Sequence, residues 1–378
     1  MKSMRYDLSK ITINSLLRPI SEAGNALVRL DERIARSLIG AGFIERMHFT
    51  DACASLWVDG EFVHLEDLAL HDAGHDVRAP THELTIARDV LRTRRRIVTQ
   101  PVNWALSGEG LRSLRGGTVR AIDDAGCRRN IAEGNMGSLA NREQENETDL
   151  DDAFGVEMAA IDAVLARSDA AIAAAKAQNR GTGADDRDPL VYEPDWDEDE
   201  RLEEWRNVLR HTQEFPPVLQ AAVALDAWNE LAVLQHAPWL GRLLAASVLR
   251  QFGVATGPHL PTVNLGLKSI SVDRRRHRDR ENRLVAIAHG FIAAAEAGLK
   301  EHDRLALART MMERKLQGRR ASSKLPELID LVMARPLVSA GMVADVLDVT
   351  PQAARRIVGE LGLREMTGRG RFRAWGIL

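Results

Sequence analysis

The sequence predicts a mainly α protein, with a multi-helix bundle as its body and a small C-terminal module that closes on a β-hairpin. Three observations carry that prediction. Aromatic residues are only 4% of the chain, so strand formers are scarce, and long alanine- and leucine-rich stretches place apolar residues at helical spacing. At 45% hydrophobic and 28% charged, a 378-residue chain can bury ordinary cores in two or three domains. Residues 324–378 then change from helical spacing to short apolar runs flanking a glycine-rich turn.

Within the body, Ile20, Ala23, Leu27, Leu30, Ile34 and Leu38 recur near the helical period and predict one or two helices over residues 17–45. Helical patterns continue from 48 to 100 and end in the basic run Arg92, Arg94, Arg95 and Arg96, expected on a solvated helix face. Residues 122–152 turn irregular and then acidic, and 156–178 are alanine-rich and periodic. Residues 178–200, including the acidic run 195–200, carry turn chemistry and predict a flexible loop. Two or three apolar helices follow over 202–252, and the charged stretch 272–281 opens a long helix to about Arg314. The expected divisions are an N-terminal helical domain (1–140), an acidic helix and flexible loop (141–200), a helical core (201–318) and the C-terminal module (324–378).

The module has the most specific pattern. Leu325, Leu328, Ile329 and Val332 predict a first helix that stops before Arg335 and Pro336. Ser339 is the expected N-cap of a second helix with Val343, Ala344 and Leu347 inward, and Asp348 with Val349 makes the turn. Thr350 followed by Pro351 marks a third helix, since the hydroxyl accepts from free first-turn amides while proline sits where an amide would lack a partner. Its inner face is Ala354, Ile357, Val358 and Leu361, which leaves Gln352, Ala353, Arg355 and Arg356 near the outer N-terminal turns. After Gly362, residues 363–366 and 372–377 flank the turn Thr367, Gly368, Arg369, Gly370, Arg371 and predict a β-hairpin.

That order of elements is a winged helix-turn-helix, whose third helix meets base edges and phosphates. The candidate DNA-binding residues are Thr350, Gln352, Arg355 and Arg356, with Arg364, Arg369, Arg371 and Arg373 on the wing. From Arg319 to Leu378 ten basic residues face six acidic ones, in a chain whose net charge is −3. The expected partner is double-stranded DNA, and because one winged helix makes few contacts, a homodimer on a two-fold site, or further basic surface such as Arg274 to Arg280, is expected. The same fold also serves in protein contact and dimerisation.

Other chemistry is thin. No stretch is long and apolar enough for a membrane span, and the first residues lack a secretory hydrophobic region, so a cytoplasmic, nucleoid-associated protein without membrane contact is expected. Cys53 and Cys127 form no disulfide framework and are expected to be reduced packing residues. His71 and His75 have a chelating spacing, but Gly74 opposes helix and no third ligand is marked, so exposed loop histidines and no metal are expected. No phosphate-binding loop, dinucleotide fingerprint or serine-hydrolase elbow occurs, and no cofactor is expected.

Two distant segments bear a family resemblance. Residues Ser55, Leu56, Trp57, Val58, Asp59 and Gly60 resemble the inhibitory helix of Fic-domain proteins, with Asp59 in place of the usual glutamate. Downstream, His236, Gly241, Arg242, Leu243 and Leu244 resemble the end of a Fic core. The resemblance implies a degenerate site of Ser55, Asp59, Gly60, His236, Gly241 and Arg242. Between His236 and Arg242 stand only five residues, too few for the Gly-Asn-Gly nest that nucleotidyl transfer needs, and the magnesium-binding acid and first arginine are missing. Taken whole, the chain resembles a group of uncharacterised bacterial proteins, often plasmid-borne, that join a helical domain of unknown function to a C-terminal helix-turn-helix. The resulting expectation is a DNA-binding transcriptional regulator with a catalytically decayed Fic-like body that dimerises or senses a protein partner. The alternative is a Fic-like nucleotide-binding or AMP-transferase enzyme with a DNA-binding appendage.

Overall fold

A computed structural model describes residues 5–74, 79–115, 196–316, 324–366 and 373–377. Outside these lie His75, Cys127, nearly all of the expected 141–200 division, and the wing arginines Arg369 and Arg371. The body comprises α1 (Ile13–Ala35), α2 (Gly40–Asp59), α3 (Leu65–Asp72), α4 (His82–Thr99), α5 (Gly108–Arg115), α6 (Glu198–His211), α7 (Pro217–Leu231), α8 (Leu240–Gln251), α9 (Val263–Lys268), α10 (Val272–Arg275) and α11 (Arg280–Arg314). The module comprises α12 (Leu325–Ala334), β1 (Leu337–Ser339), α13 (Ala340–Leu347), α14 (Pro351–Leu361), β2 (Arg364–Glu365) and β3 (Ala374–Gly376).

The period of α1 buries Leu16, Ile20, Ala23, Leu27, Leu30 and Ile34, and this stripe runs along α11. Leu38, expected on the same stripe, is 93% exposed because α1 ends before it. The short α9 wedges between α2 and α11, and only glycines allow the approach: a Cβ on Gly266 would fall 1.9 Å from the Gly290 carbonyl oxygen. Trp205 of α6 meets Trp228 of α7 edge to face at 5.2 Å and donates from Nε1 to the Ala224 carbonyl at 2.8 Å. The described residues within 1–116 and 197–378 form one compact unit, in which the first helices share a core with α6–α11.

Two further sequence expectations are overturned in the body. The run ending α4 is no solvated face: Arg94 is wholly buried. It pairs with the equally buried Asp51 at 2.5 Å, donates to the Leu260 carbonyl at 2.7 Å, and gives its Nε to His48 Nδ1 at 3.3 Å. The acidic end of the expected loop is instead the start of α6, where Asp197 accepts from the Glu200 amide at 3.0 Å and Glu198, Asp199 and Glu200 fill the first turn. Carboxylates there meet the positive end of the helix dipole.

The module matches its predicted order, with one strand added. Ser339 caps α13 by accepting from the Met342 amide at 3.2 Å, and Thr350 caps α14 by accepting from the Ala353 amide at 3.2 Å. Asp348 takes a left-handed conformation between these helices, and Gly362 does so after α14. β2 and β3 pair antiparallel, Glu365 opposite Trp375, as the wing requires. β1, which was not expected, pairs along the other edge of β3 with Val338 opposite Trp375, so the sheet order is β1-β3-β2.

Candidate nucleic-acid interface and the cleft of the body

Helix α14 faces the core with Ala354, Val358 and Leu361 and leaves Gln352, Arg355 and Arg356 exposed. Thr350 is exposed as well, with its hydroxyl committed to the cap. The opposite end of α14 is fixed by the body: Lys315, after α11, donates from Nζ to the Leu361 carbonyl at 2.7 Å, placing a cation at the negative end of the helix dipole. Arg356 stands 3.7 Å from Glu360, one turn along an exposed face, a contact too weak to hold it from a phosphate. On the wing, Arg364 is exposed, and Arg373 donates from Nε to Glu365 at 2.8 Å across the hairpin. The described candidates Thr350, Gln352, Arg355, Arg356, Arg364 and Arg373 therefore all reach solvent, while Arg369 and Arg371 lie outside the described residues.

How the module is mounted could not be read from the sequence. Pro336 has no N–H, so the Val332 carbonyl at the end of α12 lacks its helical donor. Arg46 of α2 supplies one, donating from Nη1 to Val332 at 3.3 Å and to the Arg335 carbonyl at 2.8 Å. The same guanidinium meets Glu301 of α11 at 3.2 Å through Nε. Burial pushes Arg46 down to about 10, with Glu301 opposing, so it stays a cation near neutral pH. Beside it, Arg335 bonds Asp72 at 2.8 Å and stacks on the Phe49 ring at 5.5 Å.

The residues of the degenerate site expected from the sequence divide into two groups. Arg242 at the start of α8 meets Asp59 at the end of α2 through both terminal nitrogens, at 2.8 and 2.6 Å, and donates to Ser55 Oγ at 2.9 Å. Its Nε donates to Asn264, which in turn donates to Asp51 at 2.7 Å, so a buried polar chain runs from Arg242 to Arg94. Gly60 ends α2 with φ 98°, which explains glycine there. Gly241 answers a packing need, because a Cβ would fall 2.3 Å from the Trp228 ring. His236 lies elsewhere, with Nδ1 3.3 Å from Glu198.

Arg242 and Asp59 sit in the wall of a cleft of about 630 Å³, with an apolar floor that includes Val58, Leu225, Leu234, Leu267 and Ile287. The arginines expected from the sequence as a charged helix opening and as further basic surface for DNA, Arg275, Arg276 and Arg278 among them, line this cleft. No group of His, Cys, Asp or Glu able to hold a metal occurs among the described residues. His71 is buried at the end of α3 rather than exposed in a loop. The Cys53 thiol is pushed up to about 12 by burial, which suits a packing role. No described helix is long and apolar enough to cross a membrane.

An exposed, capped third helix beside a small antiparallel wing defines a class of nucleic-acid-binding module. Residues 325–378 match the family described as "HTH DNA binding domain". Residues 190–317 match "Protein of unknown function (DUF1612)", which spans α6–α11 of the body. Over 384 aligned residues the chain is 65% identical to "Uncharacterized protein y4cF" of Sinorhizobium fredii (strain NBRC 101917 / NGR234), covering 99% of this chain and 100% of that protein. The chain belongs to the same family, in which a DUF1612 domain is followed by a C-terminal helix-turn-helix DNA-binding domain.

Proposed function

We propose that the protein is a DNA-binding transcriptional regulator that reads double-stranded DNA as a homodimer, with Gln352, Arg355 and Arg356 in or beside the major groove and the wing arginines on phosphate. The observation that carries this reading is the arrangement of α14, whose first two turns present Gln352, Arg355 and Arg356 to solvent while both of its ends are held, by Thr350 and by Lys315. The match of residues 325–378 to a DNA-binding family supports the same assignment. The body makes the dimer contact or senses a protein partner, and the protein works at the nucleoid in the cytoplasm. The test is selection from a random DNA pool, followed by titration of Arg355→Ala with Arg356→Ala across salt. A preferred sequence should emerge, and each lost phosphate contact should reduce the log-log salt slope by about 0.9. If no sequence is preferred and the double substitution leaves DNA affinity unchanged, the reading fails.

The body is assigned no reaction in this proposal. One contact favours the alternative of a Fic-like nucleotidyltransferase: Asp59 holds Arg242 as a brake would. Against it, the five residues between His236 and Arg242 cannot build a phosphate nest, and His236 turns to Glu198. Label transfer from ATP and magnesium by the Asp59→Gly variant would establish the alternative, and the absence of both label transfer and a nucleotide-induced thermal shift would refute it.

A further inference from the structure

We propose that the cleft of the body binds a small phosphate ester with an apolar moiety, held at the rim by Arg275, Arg276 and Arg278. The charge balance of the lining is the first argument. Five arginines, Arg242, Arg275, Arg276, Arg278 and Arg283, share the cleft with two carboxylates, Asp59 and Glu230. Both carboxylates are already neutralised: Asp59 takes two bonds from Arg242, and Glu230 takes Arg280 and Arg283.

Arg275 donates to the Ile270 carbonyl at 3.0 Å and the Val58 carbonyl at 3.3 Å and lies over the Trp57 ring at 6.0 Å, with no carboxylate in salt-bridge range among the described residues. Arg276 and Arg278 are exposed, and neither has a carboxylate in salt-bridge range among the described residues. Burial above all, then the nearby Arg276 and Arg242, push Arg275 below its ordinary value, with Asp59 opposing, and a bound anion would add to that opposition.

The shape is the second argument. A concave space of about 630 Å³ falls within the ordinary range for small-molecule sites, and its apolar floor beneath a cationic rim suits a ligand with one charged end. Trp228 is in the same lining, buried, with no acceptor for Nε1 among the described residues. A DNA backbone offers the same phosphate chemistry but has no apolar part to fill that floor. The proposal rests on the cleft alone and does not depend on the winged helix reading DNA.

The experiment is calorimetric titration of the full chain with phenyl phosphate and with inorganic phosphate. Phenyl phosphate should bind at one site and more tightly than inorganic phosphate, since only the ester reaches the apolar floor. Arg276→Glu with Arg278→Glu should weaken it by roughly tenfold or more, because two rim charges are reversed within a Debye length of the anion. Both side chains are exposed, so this variant keeps the fold, which circular dichroism and its melting temperature verify. Arg355→Ala with Arg356→Ala should leave phenyl phosphate affinity unchanged, whatever it does to DNA. Absence of saturable binding overturns the proposal, as does binding that survives the rim substitutions. A rim variant that loses DNA affinity while the parent protein ignores phenyl phosphate would assign the arginines to DNA and overturn it too.

Discussion

Replacing Arg46 by methionine tests whether the winged helix is held by the body. The substitution keeps an unbranched apolar stem in a site only 5% exposed and removes the guanidinium. Three hydrogen bonds are lost, to the Arg335 carbonyl at 2.8 Å, to Glu301 at 3.2 Å and to the Val332 carbonyl at 3.3 Å, and the two contacts at 3.5 Å, to Pro336 and Ile377, are too long to count. Glu301 is not stranded, because Arg304 still reaches it at 2.7 and 2.8 Å. The Val332 carbonyl has no substitute donor, since Pro336 lacks an N–H. Charge-assisted bonds contribute about 1.5–3 kcal/mol each, and removing the guanidinium also relieves its own burial, so the net change should cost about 3–5 kcal/mol, concentrated in the module. Native-state hydrogen exchange reads this directly. Amides of α12, α13 and α14 should open with a free energy lowered by about that amount, while those of α1 and α11 keep theirs. An opening free energy of α12–α14 within about 1 kcal/mol of the parent's would refute the reasoning, and would mean that the module's own core alone sustains it.

Gly241→Ala should destabilise the body by about 1–3 kcal/mol or more, since the added Cβ meets the fully buried Trp228 ring at 2.3 Å; urea unfolding followed by tryptophan fluorescence measures it, and an unchanged midpoint would be the contrary result. His48 sets a pH dependence whose sign is fixed by its surroundings. Burial, then Arg94, Arg95 and His259, hold its imidazole well below the ordinary value, so the folded protein keeps it neutral while the unfolded chain protonates it near pH 6.5. Its contribution is therefore fully present above about pH 6.5 and is lost as pH falls below that, by at most about 1.4 kcal/mol per pH unit. Stability of the parent measured from pH 7.5 to about 5.5 should drop more steeply than that of His48→Gln, and parallel curves would contradict the assignment.

What the sequence reveals depends on how far apart the interacting residues lie. The caps at Ser339 and Thr350, the left-handed turn at Asp348 and the inner faces of α12, α13 and α14 involve residues within four positions, so the module was legible. β1 was not, because its pairing partner is β3, with Leu337 opposite Gly376, and three residues after a proline carry no strand signal of their own. The run ending α4 misleads for the same reason. A basic residue among basic residues is usually solvated, yet Asp51, His48 and the Leu260 carbonyl converge on Arg94 from 43, 46 and 166 positions away. The motif at residues 55–60 and Arg242 could be singled out separately, but only the fold shows that 183 positions close to 2.6 Å.

These long-range contacts converge on α2. At its start Gly42 lets α12 approach so closely that a Cβ would stand 3.1 Å from Met333, and Arg46 receives the end of that helix. At its middle Asp51 holds Arg94 and Asn264, and at its end Ser55 and Asp59 hold Arg242 in the wall of the cleft. The winged helix is thus mounted on the same rigid element that builds the cleft, as a fixed part of the body. If the protein reads DNA as the homodimer proposed above, this has a geometric consequence. Half-sites one helical turn apart require two recognition helices about 34 Å apart, and with each α14 tied to its body through Lys315 and Arg46, that separation is set by how two bodies pair. Changes at the pairing surface of the body should then alter the preferred half-site spacing, while changes to Arg355 or Arg356 should alter the bases read at each half-site.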